Sequence, residues 1–139
     1  MAFVPNAGAL RIATVMRTEL ALAEVRLYDF GAVVPGPTTT LADLDAAECT
    51  FTGYAAAVIT TWQAAGLYPA GGASIQASVQ FATASPYTVG GVVGGFYVVD
   101  VTGTDEVLAV QEFPSPGIPM GSAGQIIPIT ILLPWGTPL

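Results

Sequence analysis

The fold is decided by the stretch Ser74-Ile-Gln-Ala-Ser-Val-Gln-Phe-Ala82, in which apolar residues alternate with uncharged polar residues. A period of two places successive side chains on opposite faces of a β-strand. The apolar row is Ile75, Ala77, Val79 and Phe81, and the polar row is Ser74, Gln76, Ser78 and Gln80. We therefore predict a strand with one face on a core and a neutral face directed away from it.

The residues before this stretch mix helical and β patterns. Residues 8–17 have apolar residues at helical spacing, and Thr40 and Asp43 are placed as a capping box for a second short helix that extends through Glu48. Alternation beginning at Ala21 predicts a strand near a sheet edge. Residues 50–62 are rich in the β-branched and aromatic residues that favour strands, so a further strand is predicted there.

The residues after it are expected to be entirely β. Residues 92–101 and 107–113 flank a turn at Gly103, which indicates a β-hairpin with that glycine in the left-handed conformation. Residues 125–133 form the last predicted strand, and Pro128 places it at a sheet edge or gives it a bulge.

Together these segments give six or seven strands at spacings typical of an all-β sandwich. We predict a mainly β chain, in which residues 1–139 form a single antiparallel β-sandwich, jelly-roll or immunoglobulin-like, with one or two short helices in the N-terminal third. A chain of 139 residues can bury a sufficient core without staples. The lone Cys49 allows no intramolecular disulfide and is expected as a small core residue.

Charge is absent from more than half of the chain. Residues 49–99 and 113–139 contain no Asp, Glu, Lys or Arg, and charged residues make up 9% of the sequence. A typical soluble domain has roughly a quarter. The formal net charge is −7 with only three Arg, so no basic surface for nucleic acid is expected. A neutral surface of this extent favours a component of an assembly that other chains cover.

The residue inventory argues against an enzyme. With no His and no Lys, a serine nucleophile lacks its usual base and a Schiff base cannot form. A carboxylate pair for sugar hydrolysis is available in principle, but the acids lie near predicted helix ends and turns, where solvated carboxylates are expected. The glycine pairs at residues 90–91 and 94–95 lack the pattern of a phosphate loop and indicate bulges or close backbone approach. We predict no catalytic residues, no metal ligands and no cofactor.

Two binding alternatives stay open on the sequence. Asp100, Asp105 and Glu106 around Gly103 offer hard oxygen ligands that suit Ca²⁺, although their spacing matches no EF-hand loop. Aromatic residues could instead form a carbohydrate-stacking face, with core packing as the alternative. The aromatic set is Tyr54, Trp62, Tyr68, Tyr87, Phe96, Tyr97 and Trp135.

Targeting and membrane segments are not expected. Pro5 and Arg11 interrupt the N-terminal apolar residues, which is unlike a signal peptide. The longest apolar stretch, residues 89–99, is rich in glycine and shorter than the about 20 residues that cross a bilayer. We expect synthesis and assembly in a host cytoplasm.

Several short segments together resemble a group of small virion proteins of tailed bacteriophages. The segments are residues 4–8, 25–28, 40–43, 47–55, 60–62 and 94–100. Two of them read Glu48-Cys-Thr-Phe-Thr-Gly-Tyr54 and Gly94-Gly-Phe-Tyr-Val-Val-Asp100. The resemblance implies a phage structural protein of the capsid decoration or cement kind, located in the virion, and it brings no catalytic residues.

The sequence therefore predicts a non-enzymatic decoration protein that stabilises a phage shell through apolar contacts. Its partners would be other copies of itself, as a trimer, and the major capsid protein or another virion protein. Residues 1–20 and 134–139 are the predicted contact segments, although the apolar tail could equally pack on its own domain. The predicted interface residues are Leu10, Val15, Met16, Ile127, Ile129, Ile131, Leu133, Trp135 and Leu139. A tail- or fibre-associated protein and a glycan-binding adhesion module are the alternatives.

Overall fold

A computed structural model of the chain describes residues 6–20, 22–64, 66–67, 73–87, 91–101 and 105–135. Within these ranges the chain is mainly β, with two antiparallel sheets and two helices, as predicted. In chain order the elements are α1 (Asn6–Glu19), β1 (Glu24–Asp29), α2 (Leu41–Ala46), β2 (Ala57–Val58), β3 (Gly66–Leu67), β4 (Ala73–Ala82), β5 (Val92–Asp100), β6 (Glu106–Glu112), β7 (Ile118–Pro119) and β8 (Ile126–Trp135). No helix in the described ranges is both long and apolar enough to span a bilayer.

The larger sheet has the strand order β2-β1-β5-β6, and β7 pairs with the first two residues of β5. β5 lies at its centre, since β1 pairs along one side and β6 and β7 pair along the other. The predicted β5–β6 hairpin is confirmed by this pairing. Gly103 lies outside the described residues, and it is Asp105, at φ 52°, that adopts a left-handed conformation next to the turn.

The smaller sheet has the order β3-β4-β8. β4 and β8 pair over ten residues, from Ala73 opposite Trp135 to Ala82 opposite Ile126. β4 is the alternating stretch Ser74–Ala82, extended by one residue at its N-terminus. β8 lies at the sheet edge, as Pro128 predicted.

A shared core fills the space between the two sheets. The alternating residues of β4 and β8 are buried in one cluster with residues of β1 and β5, and α1 adds Ala9 and Ala13 to it. Each fully buried Ile or Val side chain stabilises the fold by roughly 1.5–3 kcal/mol relative to an exposed one. The inward rows of the smaller sheet are Ile75, Ala77, Phe81, Ile127, Ile129, Ile131 and Leu133.

A second cluster covers the opposite face of the larger sheet. Tyr28, Tyr97 and Val99 are buried there against Leu44 of α2 and Ala47. The predicted capping box starts α2, because the Thr40 side chain accepts from the Asp43 amide while the Asp43 carboxylate accepts from the Thr40 amide. β5 is therefore buried on both faces, and the larger sheet is the middle layer of the molecule.

The prediction of a strand over residues 50–62 is wrong for most of its length. Only β2 within it is a strand, and the remainder is held by individual hydrogen bonds. The Trp62 indole donates to the Leu20 carbonyl at 2.7 Å, and the Ile59 amide donates to the Ala23 carbonyl at 2.8 Å. Aromatic and β-branched residues favour strands, which is why the sequence predicts one here. In the structure the aromatic side chains and Ile59 pack in the core, and most of the segment does not pair with another strand.

Candidate functional site

The side of the smaller sheet that faces away from the core is an uncharged surface, which we call the neutral face. It is formed by Ser74, Gln76, Ser78, Gln80 and Ala82 of β4 and by Ile126, Pro128, Thr130 and Leu132 of β8. Ile126 is 55% exposed and Leu132 is 42% exposed. Ser78 and Thr130 lie opposite each other, with their hydroxyl oxygens 3.5 Å apart.

The free edge of β8 is poorly suited to adding another strand. The Thr83 amide donates to the Gln125 carbonyl at 3.1 Å, next to the first pair of the ladder. Because hydrogen-bonded pairs alternate along antiparallel strands, the odd-numbered residues of β8 are the ones whose backbone groups bond to β4. Even-numbered residues therefore direct their backbone groups to the open edge. Pro128 and Pro134 occupy two of these positions and have no N–H to donate. Prolines on an edge discourage strand addition, so a partner is better accommodated by the face than by the edge.

The predicted interface residues of β8 are placed differently from the expectation. Ile127, Ile129, Ile131 and Leu133 are buried in the chain's own core, at 1–7% exposure. They form the inward row of the strand, so a partner would meet their even-numbered neighbours instead. The sequence of β8 does not decide between the two rows, because apolar residues occur at both odd and even positions.

The remaining predicted interface residues divide between core, surface and undescribed regions. Leu10 and Met16 pack against the core from α1, whereas Val15 is 54% exposed on the same helix. Trp135 ends β8, but its side chain lies outside the described part, as do Leu139 and the residues before Asn6.

A polar network joins carboxylates to tyrosine hydroxyls beside β1. The pairs are Tyr87 to both Asp29 carboxylate oxygens at 2.7 and 2.8 Å, Tyr54 to Glu48 at 2.6 Å, and Tyr97 to Asp45 at 2.8 Å. Burial raises the pKa of all three tyrosines, and the accepting carboxylate raises it further in each case. The expectation that the acids are merely solvated is wrong for these three.

Arg26 extends the same network at the surface. It donates to Glu24 at 2.9 Å and to Asp45 at 3.0 Å, which links β1 to the C-terminal part of α2. Exposed ion pairs contribute little stability, roughly 0–1 kcal/mol. The Arg26 ion pair also holds the Asp45 carboxylate in the position where it accepts the hydrogen bond from the Tyr97 hydroxyl.

The network connects residues 45–54 and Tyr87 to strands β1 and β5 of the larger sheet through directional hydrogen bonds. The raised pKa of its tyrosines disfavours the phenolate form that a tyrosine needs to act as a base or nucleophile. Burial and the nearby Asp29 carboxylate also raise the pKa of the Cys49 thiol, so the thiolate needed for nucleophilic attack is disfavoured. No group of three or more His, Cys, Asp or Glu in the described ranges is arranged to hold a metal ion.

The aromatic side chains proposed for sugar stacking lie mostly in the interior. Trp62, Tyr87, Phe96 and Tyr97 are at most 7% exposed, and Tyr54 is half-buried against Phe51. Tyr68 and the Trp135 side chain lie outside the described residues. A flat exposed aromatic platform is therefore missing from the described surface.

Comparisons of the chain with protein families, with curated proteins and with solved structures found no match. The assignment of a function therefore depends on the surfaces described above. Of these, the neutral face is the most unusual for a protein surface in water.

Proposed function

We propose that the chain is a non-enzymatic structural component of a tailed-phage particle, a decoration or cement protein that binds the shell with its neutral face. The observation that carries this proposal is that β8 is apolar on both sides, while only one side faces the chain's own core. A strand that is apolar on both faces is normally covered on both. Ile126 and Leu132 are half-exposed without such a cover.

The chemistry of the neutral face supports docking through apolar area and hydroxyl or amide hydrogen bonds. No strand of the smaller sheet contains a charged residue. Salt weakens interactions between exposed charges but has little effect on buried apolar contact. Shell binding should therefore survive an increase in NaCl from about 0.15 M to about 1 M, at which the Debye length falls to roughly 3 Å.

The test is cosedimentation of the purified protein with shells of the phage that encodes it. It compares the unchanged protein with two variants in which a substitution introduces a charge on the neutral face. Ile126→Asp and Leu132→Asp place a carboxylate in the proposed interface, where burying an unpaired charge costs several kcal/mol. We expect a loss of at least about 100-fold in affinity. Val58→Asp is the matched control, because Val58 is 46% exposed on β2 of the other sheet.

Equal binding by the face variants and the control would overturn the proposed docking surface.

A particle reconstruction then separates the remaining structural roles, since density on tail or fibre rather than shell would identify a tail-associated protein. A variant that loses binding on a glycan array while its binding to shells is unchanged would support the adhesion alternative. Pro134 and Trp135 belong to β8 and pair with β4, so deletion of residues 136–139 tests the rest of the predicted contact segment. Unchanged assembly would mean that these residues are not a contact segment.

A further inference from the structure

A cavity of about 260 Å³ opens on the larger sheet, away from the neutral face. Its apolar walls are Phe30, Val33, Val34 and Phe113, and its polar side chains are those of Tyr28, Glu112 and Ser115. Val34 is 83% exposed and Phe30 is 48% exposed, so the mouth of the cavity is itself apolar. Drug-sized ligands occupy clefts of roughly 300–1,000 Å³, so this cavity suits a single side chain better than a complete small molecule.

The backbone around the cavity is fixed in place. The Phe30 amide donates to the Val92 carbonyl at 3.0 Å, and the Phe113 amide donates to the Gly94 carbonyl at 2.8 Å. Gly94 permits this arrangement, because a Cβ at that position would lie 2.8 Å from the Phe30 Cα. Strands β1, β5 and β6 supply Tyr28, Gly94 and Glu112, and the segments that follow β1 and β6 supply the rest of the lining. The sequence-based expectation of close backbone approach at residues 94–95 is confirmed.

One polar group at the cavity, the Tyr28 hydroxyl, is buried without a hydrogen-bond partner among the described residues. Tyr28 is 1% exposed, and its hydroxyl has no hydrogen-bond partner, which is rare for a buried polar atom. The Tyr28 ring crosses over Gly95, where a Cβ would overlap its hydroxyl, and Gly95 pairs with Glu112 on β6. Glu112 is exposed and makes no ion pair with any described residue. An acceptor hydroxyl, a free carboxylate and apolar walls thus converge on one space.

We propose that this cavity receives an arginine or lysine side chain of another protein. The apolar stem would lie along Phe30, Val34 and Phe113 while the cation meets Glu112 and donates to the Tyr28 hydroxyl. Long basic side chains combine an apolar stem with a charged head in this way. The proposal does not depend on the role of the neutral face, because the two surfaces belong to different sheets.

The chain itself has few cations to offer. Arg26 is held by Glu24 and Asp45, and Arg17 donates to the Trp62 carbonyl at 3.0 Å. The sequence contains no lysine, and Arg11 is the remaining arginine. With a net charge of −7, the protein favours a basic partner of a different kind over another copy of itself.

The first experiment titrates the ¹⁵N-labelled protein with N-acetyl-arginine methylamide and, as a neutral isostere, N-acetyl-citrulline methylamide. We expect amide shifts at Gly31, Gly94 and Glu112 with the arginine compound and binding at least about tenfold weaker with the citrulline compound. A hydrogen bond to a charged partner contributes more binding free energy than a neutral one. That difference is the basis for the expected ratio between the affinities of the two compounds. Equal binding of the two compounds, or shifts elsewhere on the protein, would overturn the proposal.

The second experiment uses variants. Glu112→Gln should weaken binding of the arginine compound about tenfold, whereas Glu106→Gln, which makes the same charge change at the other end of β6, should leave it unchanged. Tyr28→Phe should weaken it about threefold without loss of folding, because the missing hydroxyl is an acceptor only in the complex. Equal effects of the two Gln variants would show a dependence on net charge alone and reject the site. Self-association that depends on Arg11 and Glu112 would show that the occupant is a second copy, which also contradicts the proposal.

Discussion

The two sheets differ in where they carry charge. Strands β1, β5 and β6 of the larger sheet contain charged residues, among them Asp29, Arg26 and Glu112. The strands of the smaller sheet contain none. The larger sheet is covered by the chain on both faces along its central strand β5, whereas the smaller one is covered on one face. The sheet with a core on each side is thus the one with charges, and the neutral sheet has one uncovered face.

The two sheets also differ in how the positions of their surface side chains are fixed. Around the larger sheet, acids are oriented by tyrosine hydroxyls and by Arg26, and directional bonds fix the position of α2 and of residues 50–54. On the neutral face, the side-chain contact found among the described residues is the long one between Ser78 and Thr130. A surface with no fixed charges has no desolvation penalty of ions to overcome when a partner covers it. That is the physical basis for assigning contact to the smaller sheet.

The largest effect that separates the sheets is expected at alkaline pH. The buried tyrosines Tyr28, Tyr54, Tyr87 and Tyr97 belong to the larger sheet or to segments packed against it, and burial raises the pKa of each. For Tyr28, burial and the Glu112 carboxylate raise the pKa from 10.0 to about 12. The folded state therefore keeps protons that the unfolded state releases. Stability is complete below about pH 10 and falls as the pH rises towards the folded pKa, by roughly 1.4 kcal/mol per tyrosine and pH unit.

Denaturant unfolding across this pH range, combined with the ultraviolet absorbance of tyrosinate, measures the loss. Tyr28→Phe should reduce the slope of stability against pH between 10.0 and about 12, since one linked proton is removed. The chain has five tyrosines, and Tyr68 lies outside the described residues. More than one tyrosinate per chain forming at the ordinary pKa while the protein stays folded would contradict the raised pKa of the other four. A constant stability across the range would do the same.

The sequence predicted the two sheets unequally well. β4 was predicted almost to the residue because Ser and Gln alternate with apolar residues, so period and burial agree. β5 has no such alternation, since both of its faces are buried. The sequence predicts its hairpin with β6, but its central position also depends on the pairing with β1, which is distant in sequence. The outward row of β8 was missed for a related reason. Its apolar residues occur at both parities, and only the ladder with β4 decides which row faces inward.

The carboxylate–tyrosine pairs could not be predicted either. Asp29 and Tyr87 are 58 residues apart, and Asp45 and Tyr97 are 52 apart. Local sequence shows acids near helix ends and turns, where solvent is the usual partner. Only the packing of α2 and of residue 87 against the larger sheet brings the hydroxyls to them.

An intermediate effect separates the two sides of β8. Ile131→Ala removes a side chain that is 1% exposed in the core, and we expect a loss of about 2–5 kcal/mol in the free energy of unfolding. Leu132→Ala changes the adjacent residue on the neutral face and should cost no more than about 0.5 kcal/mol in the free protein. Chemical denaturation of both variants gives the comparison. Similar losses for the two would mean that the register of β8 against β4 is not the one described.

The smallest expected effect is the sharpest test of why the smaller sheet is neutral. Gln80→Lys puts a charge on the neutral face at an exposed position opposite Pro128 and next to Ile126 of the same row. If neutrality served folding, this change would destabilise the chain, but exposed substitutions of this kind stay within about 0.5 kcal/mol. We therefore expect unchanged denaturation together with weaker shell binding, because the ammonium must lose its water when the face is covered. A loss of stability with unchanged binding would assign the neutral surface to the fold of the chain and remove the argument for a partner on this sheet.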